Sequence, residues 1–206
     1  MNEYKDILTK YLPAPAVDPV YHLFEKHRVN LVITRERRSK HGDFRPGING
    51  NPSRISINHN LNPYAFLITF LHELAHQLVW EKYHRKVKPH GPEWKQTFYG
   101  LLQPFCHAVC FPQEIIEILN PADKRIFAST TSDTRLARAL KKYDRSNGMN
   151  LMENLPENAE FRLPDGRRFK KLQKRRKNYL CLCLNNKRQY VFNPLAEVIP
   201  VENPEK

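Results

Sequence analysis

Five residues one third of the way along the chain could do chemistry together. His72, Glu73, Leu74, Ala75 and His76 form an H-E-x-x-H sequence inside an apolar stretch. On a helix, histidines at i and i+4 lie one turn apart on one face, so both imidazoles reach a single metal ion. Glu73 stands beside them, where a carboxylate can take a proton from a water held by that ion. The chemistry is metal-assisted hydrolysis. A catalytic zinc ion keeps three protein ligands and one open position, so the pattern demands a third donor.

Four candidates lie downstream: His84, His90, Glu93 and His107. His84 is eight residues past His76, two turns further along at about 1.5 Å per residue, and out of reach on a continuing helix. His107 lies beyond Pro104 and reads as an ordinary core or surface histidine. His90 follows a polar excursion and opens the Gly91-Pro92 start of another helix, where a chain reversal could bring it back to the first. Glu93 competes, either as a carboxylate ligand or as the group that orients His90. Imidazole is a common third zinc ligand, which favours His90. The metzincin pattern is excluded, because Val79 and Lys82 stand where it needs Gly and His.

The elements around these residues follow from periodicity. Tyr4, Ile7, Leu8 and Tyr11 form a helical stripe that Pro13 and Pro15 end, and a second helix is expected from Pro19 to Lys26 with Asp18 as its N-cap. Val29 to Thr34 reads as a strand, and Arg35 to Ser53 as a glycine-studded loop or loose hairpin. Arg54 to Asn58 alternates polar and apolar, the pattern of a half-buried strand, either structural or an edge able to pair with an extended substrate. Asn62-Pro63 is a helix start, with Asn as N-cap and Pro at the first position. The helix that follows is apolar round much of its circumference and should form the buried centre of its domain. Pro92 opens the next helix, Pro104 should end or kink it, and a short one is expected from Pro112 to Leu119.

The succession RISINHNL, FLITFLHELAHQLVW and HGPEWK resembles a SprT-like domain, of the zincin-type, Spartan-related family of zinc metallopeptidases. The resemblance covers roughly residues 1–102. It implies an α+β, zincin-like fold with a small mixed sheet and an H-E-x-x-H helix. It also implies Zn2+ held by His72, His76 and His90, with Trp94 completing the third-ligand segment. Glu73 is then the catalytic base and later proton donor, and the implied activity is zinc-dependent peptide-bond hydrolysis; taken with the chain's basic charge, the expected substrates are DNA-associated or DNA-crosslinked proteins.

Composition bears on partners and compartment. The 206 residues carry a net charge of +13 and a pI near 9.7, which favours a polyanionic partner such as DNA. No run of eighteen apolar residues occurs, and the first residues carry acids without an apolar core. The expectation is a soluble cytoplasmic protein without a membrane partner. Its four cysteines, Cys106, Cys110, Cys181 and Cys183, suit reduced thiols better than a disulfide framework. Many SprT-like proteins carry a C-terminal zinc ribbon with two cysteine pairs, and Cys181-x-Cys183 departs from it, so a second zinc is disfavoured.

Three segments are expected: a SprT-like domain over 1–120, a linker with a short basic helix over 121–155, and a small basic β-rich unit over 156–206. Between Arg135 and Tyr190 there are sixteen Lys or Arg against five Asp or Glu. Lys170, Lys171, Lys174, Arg175, Arg176 and Lys177 are the candidate nucleic-acid contacts, and Phe161, Phe169, Tyr179, Tyr190 and Phe192 are either base-stacking residues or core. A weaker cluster comprises Arg35, Arg37, Arg38, Lys40 and Arg45. The competing readings are a nucleic-acid-binding protein with a structural zinc, and a peptidase without a nucleic-acid role. Oligomeric state is not legible in the sequence.

Overall fold

The computed structural model describes residues 3–37, 39–47, 51–119, 133–145 and 148–201. Contacts divide the chain into two units, Met1–Asp144 and Arg145–Lys206. No described helix is long and apolar enough to cross a membrane.

The first unit is built on α3 (Pro63–Tyr83). Asn62 caps it, accepting the Ala65 N–H at 2.9 Å, with Pro63 at the first helical position as the sequence predicts. Twelve of its residues are buried, from Ala65 to Val79. Two further helices flank it, α1 (Glu3–Leu8) and α2 (Val17–His27), and Phe24 of α2 stacks on Phe70 at 5.3 Å. The α2 start differs from expectation. A 3-10 turn over Ala14–Ala16 leads straight into Val17, and Asp18 makes no cap bond. Its carboxylate pairs instead with Lys5 at 2.8 Å, where a helix N-terminus favours negative charge.

A three-stranded mixed sheet covers another side of α3. Strands β1 (Leu31–Thr34), β2 (Gly42–Arg45) and β3 (Arg54–Asn58) run in the order β1-β3-β2, with β1 parallel and β2 antiparallel to β3. Two alternatives left open by the sequence are decided here. The segment between β1 and β3 contains a strand that pairs antiparallel with β3, and β3 is the central, structural strand and not an edge. Ser56 and Asn58 are consequently only 5% and 1% exposed, while Arg54 at the start of the strand stays in water.

The helices α4 (Pro92–His107), α5 (Gln113–Leu119) and α6 (Thr134–Lys141) complete this unit. Pro104 does not end α4, which continues to His107. Asp133 caps α6 through the Arg135 and Leu136 N–H groups, and Leu136, Ala139 and Leu140 join the core around α3. The stretch expected as linker therefore supplies a core helix: apolar residues three and four apart need a surface to bury against, and the first unit provides it. The Ser129–Asp133 linker expectation lies, Asp133 apart, outside the described residues.

In the second unit a six-stranded antiparallel sheet has the order β4-β9-β5-β6-β7-β8, formed by β4 (Asn150–Leu151), β5 (Glu160–Arg162), β6 (Arg168–Arg175), β7 (Asn178–Cys183), β8 (Gln189–Phe192) and β9 (Glu197–Pro200). It exceeds the three or four strands expected because β4 and β5 are too short to show alternation. One face is the core, with Met152, Phe161, Phe169, Cys181, Cys183 and Val198 fully buried. Phe161 stacks on Phe169 at 5.4 Å, while Phe192 and Tyr190 pack edge-on at 5.1 and 5.6 Å from Phe169. Phe161 and Phe169 are core, and Tyr190 and Phe192 pack half-buried against them.

Asn62 also bridges elements far apart in sequence. Its Nδ2 donates to the Leu140 carbonyl at 2.9 Å and to Asp144 Oδ1 at 2.7 Å. Asn62→Ala should therefore cost about 2 kcal/mol in denaturant unfolding, the sum of a lost cap and a stranded acceptor. Asn62→Asp, which keeps the cap oxygen but faces the Asp144 carboxylate, should recover only part of it.

Candidate metal centre

Helix α3 presents His72 and His76 one turn apart, and the chain then reverses to supply the third imidazole. His84 ends α3 at φ 51°, and His90 adopts φ 57°, a left-handed conformation that is uncommon for a residue with a side chain. A bond from the Gly91 N–H to the Lys88 carbonyl at 3.0 Å closes the turn. A Cβ at Gly91 would lie 2.9 Å from that carbonyl, so the glycine lets the turn close before Pro92 restarts a helix.

The result is convergence on one point. The Nε2 atoms of His72, His76 and His90 lie 3.2, 3.0 and 3.2 Å from one another. Tetrahedral donors about 2.0–2.1 Å from a zinc ion are separated by about 3.3 Å, so the triangle fits three corners of such a site. Among the described residues this is the one group of three or more His, Cys, Asp or Glu side chains with metal-holding geometry. Glu93 is not in it. His84 packs edge-on against Trp80 at 5.6 Å, and His107 is exposed at the end of α4. His90 is therefore the third donor that the fold brings in.

The surroundings hold the rings neutral. Burial pushes His72 down to about 3 and His76 to about 4, and lowers His90 as well, so at neutral pH each ring keeps a lone pair for a cation. Trp94, 1% exposed, is the common wall, with its ring 4.6, 5.2 and 4.6 Å from those of His72, His76 and His90. Phe98 stacks behind it at 5.0 Å.

Glu73 faces the sheet. Burial raises its carboxyl to about 7, against the lowering effect of the Phe44 backbone N–H that it accepts. Strand β2 lies flush on it: a Cβ at Gly42 would come 2.7 Å from Glu73 Oε1 and 2.6 Å from Thr69 Cγ2. Sequence reasoning missed β2 and its contact with Glu73. The close approach of a glycine is a signal only once its neighbour is known, and Glu73 is thirty-one positions away.

Residues 24–105 match the sequence model of the SprT-like family. The chain carries a SprT-like domain. No curated protein and no solved structure matches it. The match covers the SprT-like domain from α2 through most of α4, and so includes the three imidazoles, Glu73 and Trp94.

The candidate nucleic-acid residues separate. Lys174, Arg175, Arg176 and Lys177 are exposed along the end of β6 and its turn into β7, with Arg176 at φ 55°, and Lys170 is half-buried. Lys171 is a correction: it is 2% exposed, its Nζ donates to the Met152 and Leu155 carbonyls, and it lies 4.0 Å from the Tyr179 ring centroid. A bulge between Lys171 and Lys174 shifts the register, so the run does not present its cations on one face. In the weaker cluster, Lys40 and Arg45 both pair with Asp43 at 2.8 and 2.9 Å, and Arg37 turns inward. Arg38 lies outside the described residues. The cysteines are free thiols, and Cys181 and Cys183 are buried on one face of β7, where burial pushes the Cys181 thiol up to about 11.

His90→Ala should remove one corner of the triangle and lower bound zinc well below one equivalent by elemental analysis. Glu93→Ala should leave stoichiometry unchanged, and the reverse pattern would transfer the ligand role.

Proposed function

We propose that the SprT-like domain is a zinc-dependent metallopeptidase acting on DNA-associated or DNA-crosslinked proteins. The observation that carries this reading is the triangle of imidazole nitrogens at 3.0–3.2 Å beside a buried carboxyl raised to about 7.

His72, His76 and His90 would hold the ion, which when bound supplies Lewis acidity toward a carbonyl and a water. Glu73, whose proton affinity burial raises, can take a proton at its carboxylate and hand it to a departing amine. The Phe44 N–H fixes that carboxylate, and Trp94 excludes water behind the rings. Strand β2 has a strand partner on one side, so an extended peptide could pair along its other edge beside Glu73. For DNA, the support is the exposed Lys174, Arg175, Arg176 and Lys177 and the basic balance of the C-terminal part.

Incubation of a DNA-binding protein with the wild type, with and without DNA and chelator, tests the activity. Cleavage should require metal and rise with DNA. Glu73→Gln should keep zinc and cut about 100-fold to 10,000-fold more slowly, the range for loss of a general base. Salt-dependent DNA binding by a wild type that cuts nothing would support a nucleic-acid-binding protein with a structural zinc instead.

For the DNA contacts, replacing Arg175, Arg176 and Lys177 with Gln should weaken binding across sequences and reduce the salt slope by about one per lost phosphate contact. Lys171→Met should alter thermal stability and leave DNA affinity unchanged; the opposite pattern would place Lys171 at the interface.

A further inference from the structure

A four-residue edge strand is a weak element, because it has a ladder on one side only. Yet β2 sits within van der Waals contact of Glu73 and Thr69 on α3, closely enough that no side chain fits at Gly42. Something must hold it there, and the connection Arg35–His41 that leads into it contains the device.

Arg37 turns its guanidinium into the protein and uses it as a fork. Nε donates to Asn58 Oδ1 at 2.8 Å, one terminal nitrogen donates to Ser56 Oγ at 3.0 Å, and the other donates to the carbonyls of Ser56 at 3.2 Å and His41 at 3.4 Å. Ser56 and Asn58 belong to β3, and His41 is the residue immediately before β2. Asn58 extends the link in the opposite direction: its Nδ2 donates to the Lys40 carbonyl at 2.9 Å and to that of Arg37 at 3.2 Å, while Ser56 Oγ donates to the Asp43 carbonyl at 3.3 Å. The fork thus ties the central strand to the residue that launches the edge strand.

We propose that Arg37 is a positioning residue that clamps β2 against α3, with Gly42 as the contact that lets the strand reach Glu73. Its partners are neutral oxygens of a hydroxyl, an amide and the backbone, so geometry and not ion pairing sets the role. A guanidinium supplies donors in several fixed directions at once, which a lysine ammonium on a flexible stem does not reproduce. The consequence for turnover rests on the peptidase reading; the structural consequence does not.

The test uses the full chain with zinc bound and two readouts. In Arg37→Gln, amide hydrogen exchange over Gly42–Arg45 should rise by at least ~10-fold while α3 and β1 keep their protection and zinc stays at one equivalent. In cleavage of a peptide substrate kcat should fall by about 100-fold, as expected when reacting groups are misplaced, with a smaller change in KM. Arg37→Lys should recover part of the protection. Gly42→Ala, which leaves Arg37 intact and pushes β2 from the α3 side, should also lower kcat; if Arg37→Gln does not fold, exchange over Gly42–Arg45 in Arg37→Lys decides, and protection there equal to the wild type's would overturn the clamp.

Unchanged exchange over β2 in Arg37→Gln would overturn the clamp. A uniform rise over α3 and β1 would overturn it too, because that is loss of the fold and not release of one strand. Loosening of β2 as expected, in a protein whose wild type cuts nothing, would uphold the clamp and overturn the peptidase reading.

Discussion

Helix α3 has to satisfy two demands that conflict. It is the element around which the first unit packs, buried along most of its length by α1, α2, α4 and the small sheet. It also carries His72, Glu73 and His76 in consecutive turns at the middle of that buried stretch. Burial of ionisable groups without partners disfavours their charged forms, and here it does so in both directions. Burial lowers the proton affinity of the imidazoles and raises that of the carboxyl. The environment that makes α3 a core helix is thus also the one that keeps its imidazole face uncharged, as a group able to hold a cation needs.

Each neighbouring element answers to that face. Trp94 and Phe98 of α4 wall the imidazoles from one side, and β2 abuts Glu73 from another. His90 reaches the same point only because the chain reverses after Tyr83 through two residues with positive φ. Backbone strain of this kind persists where the surrounding structure over-determines it, and here it coincides with the third donor. Asn62 fixes where α3 begins and ties that end to α6, so the register of the chemistry-bearing turns is set at the cap.

Charge is distributed by a different logic. Lys40 and Arg45 are engaged with Asp43, and Arg37 is spent on neutral oxygens inside the fold. In the second unit Lys171 is buried as a donor to two carbonyls, while its neighbours at the β6–β7 turn stay in water. Summed charge therefore overstates what either unit offers a polyanion. Exposure, which a run of basic letters does not encode, is what counts.

The sequence by itself determined the features whose physics is local. H-E-x-x-H spacing put two imidazoles on one helical face, Asn62-Pro63 marked the cap, and Gly91-Pro92 marked the next start. The apolar circumference of α3 announced a buried helix, and His90 could be preferred over His84 from helical rise alone. What remained hidden depended on pairings between distant positions. A strand as short as β2 shows no periodicity, so neither it nor the central place of β3 could be read from alternation. Arg37 looked like a surface cation until Ser56 and Asn58, about twenty residues on, gave its donors acceptors. Tertiary structure decided these points because a hydrogen-bonding side chain takes its role from what the fold places opposite it.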